Sequence, residues 1–320
     1  MNILLVSPID PEAIDVLRRE HEVECSFGAD GELLRSLLPD REVLVFRSGV
    51  TLSSDVLAAG GSLRFVIRAG SGLDNVDLEQ LRDLGIRMVR IPGPSAQAVA
   101  EFTFALMLDL ARNVSLADRL LREGHWPKPD LLGGLISGKT LGVVGAGNIG
   151  SRVGELGAAW GMRVLGCVEF PSAESKATLR GRGIQQADFE AVVSEADFLT
   201  LHVPLQSSTR NLIDERALSL MKPGSFLVNA ARGGVVDEDA LYRQLAEGET
   251  VAGAALDVHE QEGEGTVSRF ANLPNVVLTP HIGGMARESQ HQIGRRVIEF
   301  VDSFVRGDID TTARNGELLV

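Results

Sequence analysis

The chain has 320 residues, 44% apolar and 23% charged, an ordinary globular composition with length for two domains at roughly 150 residues each. Its 31 Lys and Arg stand against 44 Asp and Glu, for a net charge of −13. So acidic a surface repels phosphate backbones and makes nucleic acid an unexpected partner. No apolar run approaches the roughly 18 residues of a membrane span; the greasiest, residues 102–108, ends at Asp109. The start, Met1-Asn2-Ile3-Leu4-Leu5-Val6, lacks the basic flank of a secretory leader, so a cytoplasmic protein without membrane contact is expected. Cys25 and Cys167, the two cysteines, form neither a disulfide framework nor a metal-ligand spacing. Both read as small buried residues, and no metal is expected.

In chain order, residues 3–6 predict a strand and residues 11–20 a helix, with Asp10 as N-cap and Pro11 in the first turn. Residues 43–46, 65–67 and 87–89 predict further buried strands, with helices over 52–59 and 76–84. Strands alternating with helices imply crossover connections and a parallel sheet. Residues 96–122 run without Pro or Gly, and Val99, Phe102, Leu106, Leu110 and Val114 recur at helical spacing. One long helix is predicted there, leading from one domain into the next. Six more strands follow, over 140–144, 163–168, 198–202, 226–229, 252–257 and 276–279, as in a doubly wound dinucleotide-type sheet. A helix over 287–304 then returns to the first domain, and residues 308–320 read as frayed or held by an oligomer.

The first of those six strands runs into Gly145-Ala146-Gly147-Asn148-Ile149-Gly150. In such a pattern Gly145 permits the tight turn, Gly147 lets the backbone approach a pyrophosphate, and Gly150 lets helix pack on strand. The helix that begins there presents N–H groups and a partial positive charge to phosphate. An acid at the end of the next strand would bind ribose hydroxyls. Glu169 is the candidate, and it favours NAD over NADP because a carboxylate repels the extra phosphate. Lys176, Arg180 and Arg182 follow closely and read as a solvated helix face rather than a phosphate clamp.

Open parallel sheets bind ligands beyond the carboxyl ends of their strands. Three such ends carry polar clusters, which contain Arg232, the acids after Asp257, and His281. An arginine can grip a carboxylate with two hydrogen bonds, a histidine can move a proton near neutral pH, and a carboxylate can orient that histidine. Arg232, Glu262 and His281 are therefore the candidate catalytic set. His202 reads as the hydrogen-bonded end of its strand.

These stretches resemble the D-isomer-specific 2-hydroxyacid dehydrogenases. The resemblance runs through Arg68-Ala-Gly-Ser-Gly-Leu-Asp-Asn-Val-Asp77, Lys139-Thr-Leu-Gly-Val-Val-Gly-Ala-Gly-Asn-Ile-Gly150, Leu201-His-Val-Pro-Leu205, Asn229-Ala-Ala-Arg-Gly-Gly234, Ala254-Ala-Leu-Asp-Val258 and Thr279-Pro-His-Ile-Gly-Gly284. It implies an α/β fold of two doubly wound parallel-sheet domains. A flavodoxin-like substrate domain would comprise residues 1–97 and 286–320, a Rossmann domain residues 98–285, and the protein would be a homodimer. It implies reversible hydride transfer between NAD(H) and a small 2-oxo or 2-hydroxy acid, with members acting on 3-phosphoglycerate, hydroxypyruvate or glyoxylate most alike. Arg232 would hold the substrate, His281 would be the acid/base, and Glu262 would pair with it. His202, Pro204, Ala230, Arg232, Asp257, His281 and Gly283 would line the cofactor with the glycine turn, Asp257 holding the carboxamide. The loop 69–73 would offer N–H groups, those of Ser71 and Gly72 among them, to the substrate carboxylate, braced by Asn75 and Asp77. Arg47, with Arg68, would serve a substrate phosphate or be a plain strand-end arginine.

The pattern departs from the family in two places. By count from Gly150 the family's ribose-binding Asp falls on Val168, one residue before Glu169, and Gly263 follows Glu262 where the family usually has Pro. Glu260 and Glu264 also flank Glu262, so its register rests on the motif. A cofactor-sensing corepressor of the same fold is the alternative, and retention of all three catalytic candidates argues against it. Formate oxidation would call for a glutamine where Glu262 stands.

Overall fold

Val43-Leu-Val-Phe46 and Phe65-Val-Ile-Arg68 are buried along their whole length, as central strands of a parallel sheet covered on both faces must be. They are β3 and β4 of a five-stranded sheet with β1 (Asn2–Leu5), β2 (Glu22–Cys25) and β5 (Arg87–Arg90), in the order β2-β1-β3-β4-β5 with every pair parallel. This is the flavodoxin-type order. Side chains alternate across the sheet. Ile3, Leu5, Val43, Val45, Phe65 and Ile67 face one core with Ile293, Val297 and Phe300 of helix Arg287–Arg306. Leu4, Leu44, Phe46, Val66 and Met88 face the other, with Val56, Leu57 and Leu81. The computed structural model describes residues 1–248, 250–314 and 316–320. In it Met1–Ser95 with Met285–Val320 form one unit and Ala96–Gly284 the other.

The second unit holds β6 (Thr140–Val144), β7 (Arg163–Cys167), β8 (Ile184–Gln186), β9 (Phe198–Leu201), β10 (Ser225–Asn229), β11 (Val251–Leu256) and β12 (Val276–Leu278). Their order, β12-β11-β10-β9-β6-β7-β8, contains the Rossmann arrangement, whose switch point lies between the strands here numbered β6 and β9.

Four expectations are corrected. The second sheet has a seventh strand, β8, and the first unit has β2 and a helix at Gly31–Leu37, none of them anticipated. The two strands lie at sheet edges and are short and polar, Glu-Val-Glu-Cys and Ile-Gln-Gln, so hydrophobic runs do not reveal them. The single helix over 96–122 is two helices, Ser95–Arg112 and Val114–Arg122. Asn113 between them adopts φ 54°, a left-handed conformation that asparagine tolerates better than most residues. Asp109 then accepts the Ser115 N–H at 2.7 Å, so a carboxylate of the first helix caps the second. Cys25 is only partly buried, with the Arg18 guanidinium 3.6 Å from its sulfur, whereas Cys167 is buried and its thiol is pushed up by desolvation.

Lastly, the tail over 308–320 is docked; Asn315 lies outside the described residues. Leu318 pairs antiparallel with Val89 of β5, Met88 N–H donates to Val320 O and Leu319 N–H to Met88 O. Glu317 is buried against Arg296, which also bonds Glu299 at 2.6 Å and the Thr312 carbonyl at 2.8 Å. Removing one partner of a buried ion pair strands the other in a low dielectric. Glu317→Ala is therefore expected to destabilise the chain by about 3 kcal/mol, and Glu299→Ala, half-exposed, by under ~1 kcal/mol. Urea unfolding of the two variants checks this ordering.

Candidate active site

At the switch point of the second sheet the backbone is tightly specified. Gly145 follows β6 with φ +89°, and a Cβ there would lie 2.7 Å from the His202 carbonyl oxygen. Its N–H and that of Ala146 donate to Cys167 O, and His202 N–H donates to Val144 O at 2.8 Å. The ends of β6, β7 and β9 are thus sewn together around one turn. A Cβ on Gly150 would sit 2.3 Å from Gly145 O, so the following helix, Asn148–Ala159, packs against the turn only as glycine. A Cβ on Gly147 would meet nothing within 4 Å, and no side chain caps the helix that starts there. Asn148 is exposed and Ile149 half-buried. An open backbone face, an uncapped helix N-terminus and forbidding packing behind it together fit a dinucleotide pyrophosphate.

Around that turn, Pro204 is exposed, Ala230 half-buried and Gly283 buried. Val168 is half-buried against the core of the second unit, whereas Glu169 is solvent-exposed in a bend. Arg182 is engaged elsewhere, donating to Ser151 Oγ at 3.2 Å and pairing with Glu155 at 3.4 Å. Lys176 and Arg180 are exposed on their helix. The His202 ring is packed against the Thr200 hydroxyl at 3.0 Å, and its Nδ1 is a buried atom with no partner among the described residues. Desolvation lowers its pKa to about 3.

The loops after β10, β11 and β12 carry the candidate acid–base groups. Asn229, buried at the end of β10, accepts Ala231 N–H and donates to Arg232 O at 3.0 Å, fixing the turn that projects Arg232. Glu262 receives His281 Nδ1 on one carboxylate oxygen at 2.9 Å and the His259 N–H on the other at 3.2 Å. Of the three neighbouring acids Glu260, Glu262 and Glu264, it is Glu262 that meets His281. Burial tends to raise the Glu262 carboxyl, but the hydrogen bond and charge of His281, with a smaller share from His259, hold it below the ordinary carboxylate value. Gly263 has φ +139°, which proline's ring cannot adopt; hence this chain's departure from a Glu-Pro pair.

His281 itself has φ +55°, a left-handed conformation that costs energy for any residue bearing a Cβ. Asp257, 1% exposed, maintains it. Its carboxylate accepts Thr279 Oγ1 at 2.7 Å, Ile282 N–H at 2.8 Å and Gly283 N–H at 2.8 Å, while its backbone oxygen accepts His281 N–H at 2.7 Å. Sequence reasoning assigned Asp257 a ligand and missed this anchoring role. It also passed over His259, whose backbone N–H holds Glu262 and whose Nε2 meets Thr279 O at 3.1 Å. The spacing of Asp257 from the Thr279-Pro-His-Ile-Gly stretch carries no local signal for a bond across 22 residues.

Among the remaining candidates, all in the first unit, Arg47 donates to Gln290 Oε1 and approaches Met285 Sδ at 3.6 Å; burial lowers its pKa. Ser71 Oγ donates to Pro92 O at 3.3 Å, and Gly72 O accepts Arg68 Nε at 3.0 Å. Asn75 donates to Val50 O, and Asp77 caps helix Leu78–Asp83 and accepts Ser54 Oγ.

Strand ends arranged in this way define a dinucleotide-dependent dehydrogenase. Residues 104–283 match the family model described as D-isomer specific 2-hydroxyacid dehydrogenase, NAD binding domain. The chain is 39% identical over 295 residues to a hydroxypyruvate reductase of Thermotoga maritima, covering 91% of this chain and 94% of that protein. It is 38% identical over 310 residues to a D-3-phosphoglycerate dehydrogenase of Methanocaldococcus jannaschii, covering 97% of this chain but only 58% of that protein's length. A D-lactate dehydrogenase from Aquifex aeolicus, solved with NAD and lactic acid, superposes with a TM-score of 0.86 at 29% identity, covering 99% of this chain and 98% of that one. The chain belongs to the D-isomer-specific 2-hydroxyacid dehydrogenases, NAD-dependent oxidoreductases of small 2-hydroxy and 2-oxo acids. No helix among the described residues is long and apolar enough to cross a membrane.

His202 provides a pH test of the cofactor turn. Its folded value of about 3 lies below the ordinary 6.5, so protonation favours the unfolded chain. Its contribution to stability is complete above pH 6.5 and is lost as pH falls from there towards 3. Nitrogen NMR of the folded protein at pH 5 is expected to show the His202 ring still neutral, and a protonated ring there would contradict its burial.

Proposed function

We propose that the protein reduces a short 2-oxo acid to the D-2-hydroxy acid with NADH, reversibly, and that Arg232, Glu262 and His281 do the chemistry. The observation that carries this reading is the 2.9 Å bond between His281 Nδ1 and Glu262. With Nδ1 donating to the carboxylate, Nε2 is the ring atom free to exchange a proton with substrate. When bound, the reduced nicotinamide supplies the hydride that goes to the carbonyl carbon. His281 Nε2 gives its proton to the carbonyl oxygen as charge develops there. Arg232 orients the acid and stabilises that oxygen. Ionised Glu262 keeps the ring aligned and balances the imidazolium charge. The exposed Glu169 and the engagement of Arg182 with Ser151 and Glu155 support NAD over NADP.

In the first unit, Ser71 and Gly72 are proposed as backbone donors to the substrate carboxylate. Arg47 lies where the first sheet reverses its strand order, its backbone N–H bonded to Ser7 Oγ across the ends of β1 and β3. Its guanidinium is desolvated and bonded to an amide oxygen and a thioether. This favours a substrate with a second anionic group, a phosphate, over hydroxypyruvate or glyoxylate. The test is NADH oxidation against glyoxylate, pyruvate, hydroxypyruvate and phosphohydroxypyruvate. The reading predicts turnover of at least one, best with the phosphorylated acid, and a fall of roughly 10²–10⁴ in kcat for His281→Ala with NADH affinity kept. Wild-type kcat in that variant would remove His281 from the reaction.

We also propose that the second unit pairs with a second copy of the chain. Helix Val114–Arg122 buries none of its residues, and Leu121, Trp126, Leu132 and Leu135 nearby are exposed, Leu132 to 91%. So concentrated an apolar surface marks an association site. Light scattering should give a dimer mass for the wild type and a monomer for Trp126→Glu with Leu135→Glu; a wild-type monomer would refute the pairing.

A further inference from the structure

The loop over 69–73 is held from one side by two arginines. Buried Arg68, stacked over the Phe46 ring at 5.3 Å, donates through Nε to Gly72 O at 3.0 Å. Arg90, at the end of β5, donates through Nη1 to Ser71 O at 3.3 Å. The same Arg90 donates through Nε to Gly316 O at 2.8 Å, and its backbone N–H to Glu317 O at 2.8 Å. One side chain therefore bridges the docked tail and the loop, and the tail is itself pinned by Glu317 on Arg296.

In a trans peptide the carbonyl and the N–H point in opposite directions, and no peptide here is cis. The Ser71 carbonyl shares its peptide plane with the Gly72 N–H, and the Gly72 carbonyl with the Leu73 N–H. Two arginines that capture those carbonyls turn both N–H groups to the opposite side. Neither N–H meets an acceptor among the described residues. Consecutive N–H groups aimed together form an anion-binding concavity.

We propose that Arg90 is a positioning residue for substrate: it ties the C-terminal tail to the loop through the Ser71 carbonyl and thereby aims the Gly72 N–H at the substrate carboxylate. This rests on the reading of that loop as the carboxylate-binding element. Arg90 touches no reacting atom, so its loss weakens acid binding and leaves cofactor binding alone.

The experiment is the KM for hydroxypyruvate, with the Kd for oxamate on the enzyme saturated with NADH, in Arg90→Ala, Arg90→Lys and Gly72→Pro. Arg90→Ala should raise both constants roughly tenfold, the worth of one or two hydrogen bonds, with kcat within about threefold, NADH affinity unchanged and Arg90→Lys partly restored. Gly72→Pro deletes one donor directly and should raise both constants as well. A folded Arg90→Ala with wild-type constants overturns the role of Arg90 if Gly72→Pro still weakens binding. If Gly72→Pro also changes nothing, the loop does not bind the carboxylate and both readings fall. Should Arg90→Ala fail to fold, Arg90→Gln decides in the same way, since its amide reaches one acceptor and not both tail and loop.

Discussion

The geometry of the candidate site hangs on one buried carboxylate. Asp257 ends β11 almost without solvent contact and collects three hydrogen bonds from residues 279–283, while its main-chain oxygen takes a fourth from His281. A buried charge is tolerable only when its lone pairs are satisfied, so the loop cannot relax without stranding it. That constraint keeps His281 in a left-handed conformation and its ring in register with Glu262. A Cβ on Gly283 would lie 2.9 Å from the Asp257 carboxylate, which is why the loop closes onto Asp257 through glycine.

Glu262 is rigid for a related reason. Both of its oxygens accept hydrogen bonds, from a ring nitrogen and a backbone N–H, so rotation of the carboxylate would forfeit one. The His259 backbone that supplies the second bond is pressed against the loop carrying Arg232, since a Cβ on Gly233 would fall 1.9 Å from His259 O. The three strand-end loops are one interlocked structure, and arginine, histidine and carboxylate are positioned by each other's backbones. Preorganisation of this kind lets the charge of a transition state meet dipoles already in place.

The first unit shows the same economy with different parts. Its sheet ends in an edge strand, β5, which a bare polypeptide edge would leave open to pairing. The tail covers that edge with main-chain bonds on Met88 and Arg90. Arg90 then extends the tail's influence to the loop over 69–73. Through Arg90, a segment with no regular structure of its own beyond a short helix is thus tied at Gly316 to the Ser71 carbonyl, 19 residues upstream of that arginine.

Much of this was legible in the sequence. Central strands betray themselves by continuous apolar runs, and the glycine turn by its spacing between a strand and a helix within an α/β series. Arg232, Glu262 and His281 stood out because strand ends are where parallel sheets bind ligands. Polar edge strands β2 and β8, the break at Asn113 and the docking of residues 308–320 were not legible. Each is decided by partners distant in sequence: a neighbouring strand, a carboxylate on the preceding helix, a buried arginine on another helix. The sequence determined the family, the two parallel sheets and the chemical groups of the site. Tertiary structure alone decided that Asp257 anchors a loop, that Glu262 and not its neighbours meets His281, and that Arg90 joins tail to loop, because hydrogen bonds between residues far apart in the chain leave no local periodicity to read.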